Sequence, residues 1–530
     1  MKRIIIICVS LFCLALVICI VLGISHSSSV FHHNASKLTE EYTGEYDYFY
    51  HSRKMLKDVQ ESPTEFVTPD DLTKIEENTF GNYNELRKIY ISRNIRNIDA
   101  KAFIHCNNLD SIIVDSRNKY YISRGNCLIE KSTNTLVVGS KNSIIPKGVT
   151  TIGKYAFSGC RGLKDIEFPE GVTTIQSSCF DRCKDLASIK IPKSVERIDS
   201  GNVFSQCVNL KSITVDKDNH FYDSRDNCNC IISTHDNTII TGCNNSIVPK
   251  SAKAIGKNAF RGCTKLSQLN IPANSVKEIG INAFADCSGL KRIMLPDGVK
   301  EIKPLAFANC RSVKEVFISK SVERIGIEYI IGLQGLANHE VAMRDVFLNC
   351  DSIKSIVVDK RNPHFNSREN CNCIIKGNLL IRGCNNSSIP EGVEYISPNA
   401  FRNCNDILTL IFPKSLRSIS GHAFYNCSNI RKIECKGNRV IEIYNDTFVP
   451  DLFFYKKCYL FVPENMIRKY REHELWGHFE HIESIKVSKP LFTRELLINI
   501  ASTGMLLLLG VIIVIRIIRS RREKIIYRRK

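Results

Sequence analysis

The chain has 530 residues, with 73 Lys and Arg against 54 Asp and Glu, a formal net charge of +19, 43% hydrophobic residues and 23 cysteines. That length exceeds what one compact core usually holds, so it requires either several domains or a repeat fold that grows lengthwise. The position of the charge argues against a nucleic-acid partner: from Arg516 onward there are eight Lys/Arg and one Glu, directly after an apolar run, while the remaining surface is moderately basic with mixed signs.

Taken in chain order, residues 4–24 form 21 residues without a charge, preceded by Lys2 and Arg3. A cleavable leader has an apolar region of about 7–15 residues, and this one is long enough to cross a bilayer. Residues 1–25 are therefore either a signal peptide, with small residues at Gly23 and Ser25, or an N-terminal membrane anchor. Residues 26–70 start polar, continue into an acidic-aromatic stretch and read as a linker or N-terminal cap.

Residues 71–448 are repetitive. The phrase IGKYAFSGC at 152–160 returns as IGKNAFRGC at 255–263, IGINAFADC at 279–287 and ISGHAFYNC at 419–427. The phenylalanines at this position most often lie 23 or 24 residues apart, which predicts a solenoid whose units bury their apolar faces against one another. Phe157, Phe180, Phe204, Phe260, Phe284 and Phe307 should form an internal column. The fuller repeat, L-x-x-I-x-[IFL]-P, predicts a short strand, with Ile166 and Phe168 in one copy and Ile189 and Ile191 in the next. Stacked strands make a parallel sheet, and the AF-x-x-C segment should be the return turn or a short helix.

Three steps between phenylalanines are long, and each carries the same insertion: VDSRNKYYISRGNC from Val114, VDKDNHFYDSRDNC from Val215 and VDKRNPHFNSRENC from Val358. Each continues as strand, turn and strand, with Gly377-Asn378 as a two-residue turn in the third, which predicts a β-hairpin projecting from or extending the repeats. A different insertion at 331–346 suggests a short helix.

Residues 449–487 change character, contain the single Trp476, and suit a C-terminal cap over the last rung. Residues 496–518 read as a transmembrane helix, followed by a basic tail at 519–530. Positive charge flanks the outer end of both apolar segments, so both ends should be cytoplasmic and the region between them exported, to the cell surface or the periplasmic face.

The repeated IG-x-x-AF-x-x-C with L-x-x-I-x-[IFL]-P resembles the BspA-like leucine-rich repeat surface proteins over residues 72–487. The SR-x-N-C modules and the closing Tyr459, Trp476 and Ile482 pattern are similar to members from Bacteroidetes. The resemblance implies cell-surface adhesion or binding of host proteins, with no enzyme activity, no cofactor and no fixed ligand. Such proteins are often secreted or lipid-anchored, so the C-terminal apolar helix departs from the pattern.

Cysteine is the most tempting chemistry. Ten cysteines, from Cys106 to Cys427, occupy the AF-x-x-C column. Parallel rungs about 4.8 Å apart point side chains the same way, whereas a disulfide needs converging Cβ atoms about 3.8 Å apart, so these read as buried thiols. In the insertions, folding each hairpin symmetrically sets Cys371 opposite Cys384 and Cys228 opposite Cys243. Matching the modules by sequence sets Ile129 where the others have Cys230 and Cys373, and Ser140 where they have Cys243 and Cys384, which favours Cys230–Cys243 and Cys373–Cys384. Both pairings stay open, and export makes either reasonable.

No metal site is expected. His473 and His478 are five apart, about 140° around a helix instead of the near-coincidence of a zinc-binding HExxH, and Gly477 weakens that helix. The recurring Asp115, Asp216 and Asp359 suit turns better than calcium. Arg124, Arg225 and Arg368 suit structural contacts, and there is no phosphate loop or nucleophile elbow.

The outward strand positions remain. Early repeats place Glu167, Lys190, Thr214 and Asn270 there, and later ones place Met294, Phe317, Val357 and Ile411, a candidate apolar binding stripe. The reading is a non-catalytic, membrane-anchored, exported repeat protein that binds a protein or other macromolecule and no nucleic acid. The alternative is a membrane-tethered envelope sensor or scaffold signalling through a partner.

Overall fold

The computed structural model describes residues 63–81, 83–200, 202–326, 345–448 and 452–485. No helix among the described residues is long and apolar enough to cross a membrane. The two apolar segments, 4–24 and 496–518, and nearly all of the 331–346 insertion lie outside them. The chain divides between Ser224 and Arg225 into two compact units.

Each unit is a β-solenoid built from two kinds of parallel ladder. Strands of three or four residues carry the Ile-x-Ile part of the repeat. In the first unit Glu65–Val67, Lys88–Ile91 and Ser111–Val114 form one such ladder, and Ser188–Ile191 pairs with Ser212–Val215. In the second unit Arg292–Met294, Glu315–Ile318 and Ser355–Val358 form another. Two-residue strands come from the V-x-x-I part, where one isoleucine points inward. Ala254–Ile255, Glu278–Ile279, Glu301–Ile302 and Arg324–Ile325 stack in this way, and Ile255, Ile279 and Ile302 are fully buried.

The AF-x-x-C segments close the rungs as turns; among the described repeats only Ala100–Phe103 is a short helix, of the 3-10 type. Their phenylalanines stack nearly parallel, with ring centroids 5.1 Å apart for Phe157–Phe180, 5.3 Å for Phe180–Phe204, 5.0 Å for Phe260–Phe284 and 5.4 Å for Phe284–Phe307. A rung spacing near 4.8 Å imposes this geometry, which lies within the favourable range for offset rings. The cysteines beside them are more than small hydrophobes. The thiols of Cys183, Cys207, Cys287, Cys310, Cys350 and Cys427 each donate to the carbonyl of the preceding rung's phenylalanine at 3.0–3.2 Å. They therefore form a cross-rung column of weak hydrogen bonds, and burial pushes Cys287, for example, up to about 12.

One expected strand differs. Residues 163–169 keep the alternation, with Ile166 buried and Glu167 exposed, but form no ladder. The segment meets the next strand at its base, where Ala187 N donates to Lys164 O at 2.8 Å, and then diverges. An open cavity of about 480 Å³ lies there, lined by Asp165, Glu167, Glu170, Lys190 and Asp216 among others.

The long steps contain antiparallel strand pairs: Cys127–Glu130 with Thr135–Val138, Ile231–Ser233 with Thr238–Thr241, and Ile374–Lys376 with Leu379–Arg382. The second strand of each then pairs in parallel with the next repeat's short strand, Thr135 to Thr151, Thr238 to Ala254 and Leu379 to Tyr395. That strand takes the place of a rung and does not project. A glycine follows it each time. A Cβ on Gly139, Gly242 or Gly383 would sit 2.0–2.1 Å from the ring of Phe157, Phe260 or Phe401, so the missing side chain is what admits the ring.

An asparagine fastens each insertion to the rung before it. Asn219 Nδ2 donates to Pro192 O and Val195 O, both at 2.9 Å, and its Oδ1 accepts from Phe221 N and Tyr222 N. Asn118 and Asn362 repeat the same four bonds. The pattern uses both N–H donors and both oxygen lone pairs of a buried amide, which is why the position tolerates burial.

Beyond the repeats the ladder Thr409–Phe412, Lys432–Cys435 continues into Tyr459–Val462 and His481–Ser484. Helices Leu452–Lys457 and Ile467–Glu472 accompany these strands. Trp476 is fully buried, donates Nε1–H to Ile441 O at 2.7 Å and packs on Tyr470 and Phe479.

Candidate functional site

Interior positions are taken up by stacking, so chemistry is left to the outward strand positions. In the second unit the parallel register sets Met294 beside Phe317 and Phe317 beside Val357. Met294 and Val357 are each 47% exposed, with Phe317 half-buried between them. Three of the four stripe residues thus form one row. Ile411, 44% exposed, lies in a different ladder beside Glu434, so it does not extend that row by strand pairing.

The row runs into an open cavity of about 520 Å³ lined by Phe317, Val357, Asp359, Arg361, Asn370 and Asn372 among others. One wall is apolar strand surface, and the other is the polar turn of the third insertion. Arg361 clasps Asp359 through Nε–Oδ1 at 3.1 Å and Nη2–Oδ2 at 2.8 Å. Those side-chain bonds, with Arg361 N donating to the same carboxylate, hold Asp359 down to about 2. Arg117 and Asp115 make the same clasp in the first insertion. Asp115 and Asp359 therefore act as turn anchors bound by arginine, while Asp216, with Asp218 where the others have arginine, accepts from the Asp218 N–H at 3.0 Å. Arg225 donates to Asn237 Oδ1 at 2.7 Å and Arg368 to Gly377 O at 2.9 Å, both contacts within their own hairpins.

The sequence pattern missed an earlier row. Val67 lies beside Tyr90, and Tyr90 beside Ile113, all on the outward side, with Val67 66% exposed and Lys88 Nζ 4.8 Å from the centre of the Tyr90 ring. The strand Glu65–Val67 falls in the stretch assigned to the linker. The signal was present: Phe66 precedes its ladder partner Ile89 by one period of 23 residues. Also missed were the anchoring asparagines, although they recur as the fifth residue of VDSRN, VDKDN and VDKRN.

The insertion cysteines sit together in their modules as thiols, all six 0–1% exposed. Their register differs from the symmetric folding. A bulge between Ile231 and Ile232, and another between Ile374 and Ile375, shifts each ladder by one residue. Extended from Ile231–Thr241 and Ile374–Arg382, the pairing sets Asn229 against Cys243 and Asn372 against Cys384, and the two thiols lie 3.7 Å from those asparagine carbonyls. Symmetric folding therefore does not choose between the pairings.

The C-terminal histidines have other tasks. His473 Nδ1 accepts from Leu475 N at 3.2 Å and Trp476 N at 3.4 Å, His478 packs on Tyr455, and His481 stacks on Tyr459 with centroids 4.4 Å apart. Among the described residues no group of three or more His, Cys, Asp or Glu side chains is arranged to hold a metal ion.

No curated protein matches the chain. Among solved structures, it is similar to a leucine rich cell surface protein from Faecalibacterium prausnitzii, at 22% identity over 72% of this chain and 89% of that one, with a TM-score of 0.37. It is also similar to a leucine-rich repeat protein from Bacteroides ovatus (20% identity, 80% and 92% covered, TM-score 0.38) and to the pneumococcal vaccine antigen PcpA (17% identity, 80% and 90% covered, TM-score 0.37). The family model described as BspA type leucine rich repeat region matches residues 59–134, 129–238, 240–376 and 381–455. With the parallel ladders and the stacked phenylalanines, that match carries the assignment: the chain belongs to the BspA-type leucine-rich repeat family.

Proposed function

We propose that this is an exported, membrane-anchored repeat protein that binds a protein or other macromolecule without catalysis. The observation that carries the reading is the Met294–Phe317–Val357 row opening into the cavity beside the third insertion. An aligned apolar row rimmed by polar side chains is the kind of surface that partner binding covers. The two apolar segments and the basic tail support anchoring, with the repeats held outside. Adhesion and partner-protein binding both follow from such a surface.

The test is binding of the full chain to cells or to captured partners, with Phe317→Ser and Val357→Ser compared with the parent. Loss of binding with an unchanged melting curve supports the reading; unchanged binding by both folded variants removes the row as the site. Protease treatment of intact cells addresses location. Release of the repeats supports a cell-surface role. Protection favours the envelope sensor, to which the basic tail from Arg516 would offer a cytoplasmic contact.

A further inference from the structure

The three insertions are internal copies, and their hydrogen bonds superpose them without reference to sequence spacing. Ile144 N donates to Gly125 O at 2.8 Å, Ile247 N to Cys228 O at 2.9 Å and Ser388 N to Cys371 O at 3.1 Å. The hydroxyls of Ser143, Ser246 and Ser387 donate to the carbonyls of Asn126, Asn229 and Asn372 at 2.6–2.7 Å. The thiols of Cys127, Cys230 and Cys373 lie against the carbonyls of Ile144, Ile247 and Ser388 at 3.8, 3.9 and 3.4 Å. Ser140, Cys243 and Cys384 each donate their backbone N–H to the serine hydroxyl three residues on.

This equivalence differs from the sequence match by two residues. Cys127, not Ile129, is the counterpart of Cys230 and Cys373. Gly125 is the counterpart of Cys228 and Cys371, and Ser140 that of Cys243 and Cys384. The first module therefore keeps the Cys127 thiol on the same carbonyls with no second cysteine in the module, so that position needs no sulfur partner. What the second and third modules have, and the first lacks, is the other pair of cysteines, one on each side of the bulged ladder.

We infer that in the exported chain Cys228 is joined to Cys243 and Cys371 to Cys384 as disulfides, while Cys230 and Cys373 stay as thiols. Each bond forms by exchange with an external disulfide such as oxidised glutathione. One thiolate attacks it and expels a glutathione thiolate; the second cysteine then attacks the mixed disulfide and expels the other. Each exchange oxidises two cysteines by two electrons in all, reduces one glutathione disulfide to two thiols, and passes the two cysteine protons to the glutathione sulfurs. In the third module the Cys373 thiol hydrogen-bonds to Cys371 and holds its pKa below the usual thiol value. Closing this bond would tie the turn that walls the 520 Å³ cavity to the solenoid frame. The pairing does not depend on the binding role, but its occurrence in cells depends on export.

The full chain is produced with its own leader in an oxidising compartment, trapped with an alkylating reagent in denaturant and mapped by fragmentation of non-reduced peptides. Expected are the links Cys228–Cys243 and Cys371–Cys384, with Cys127, Cys230 and Cys373 alkylated. The links should persist in Cys230→Ser/Cys373→Ser and vanish in Cys228→Ser/Cys371→Ser. Should the latter fail to fold, Cys243→Ser/Cys384→Ser takes its place, with the same loss expected. Links through Cys230 or Cys373, or within Cys228–Cys230 or Cys371–Cys373, would overturn the proposal, as would alkylation of all six after treatment of the reduced chain with oxidised glutathione. Links formed only after that treatment support the pairing and instead count against export.

Discussion

The inner column and the outward row belong to the same repeats and differ in almost everything else. Phe260, Phe284 and Phe307 repeat without variation and are buried. On the strands of these repeats the outward residue is Tyr90, Ile113, Lys190 or Thr214 in the first unit and Met294, Phe317 or Val357 in the second. The contrast teaches that repetition in this chain marks packing. Each rung must present the same face to its neighbours, whereas nothing in the stack constrains what points out.

Substitutions along this contrast should separate stability from binding. The largest effect is expected for Phe284→Ala, which removes a ring stacked at 5.0 and 5.4 Å on both sides, at a cost of about 3–5 kcal/mol in urea unfolding. A cost similar to that of an exposed change would break the inner half of the comparison. Asn219→Ala removes four hydrogen bonds and orphans buried backbone groups, so about 3 kcal/mol should be lost. Gly242→Ala drives a methyl group into the Phe260 ring and should cost about 1–3 kcal/mol, seen as a lower melting temperature. Cys310→Ala loses the donor to Phe284 O and should cost about 1 kcal/mol, and Cys310→Ser should recover part of it by restoring a donor. The smallest effect on stability belongs to Phe317→Ser, about 0.5 kcal/mol or less, because the ring is already half in water. Its effect on binding should exceed all the others measured on folded protein, which is the sharpest statement of the difference.

The period of 23 or 24 residues made the solenoid, the phenylalanine column and the outward position of Met294, Phe317 and Val357 legible, because strand alternation and rung stacking are local rules repeated many times. Where the pattern was interrupted, legibility fell. The insertions announced themselves as hairpins, but their bulges did not, and one extra residue moved Cys384 from facing Cys371 to facing Asn372. A two-residue difference in the first module likewise displaced the match of Cys127. Ile411 fits the stripe by spacing and lies in another ladder by pairing.

The amino-acid sequence by itself determined the repeat, the interior column, the strands' facing and the basic, apolar-flanked ends, since each follows from periodicity or composition within one or two rungs. Only the tertiary structure decided which outward residues are neighbours, where the cavity opens, and which cysteines are equivalent among the three insertions. Those depend on ladder register and on bonds between segments about 15–40 residues apart, and a one-residue bulge changes them without leaving a mark on the local pattern.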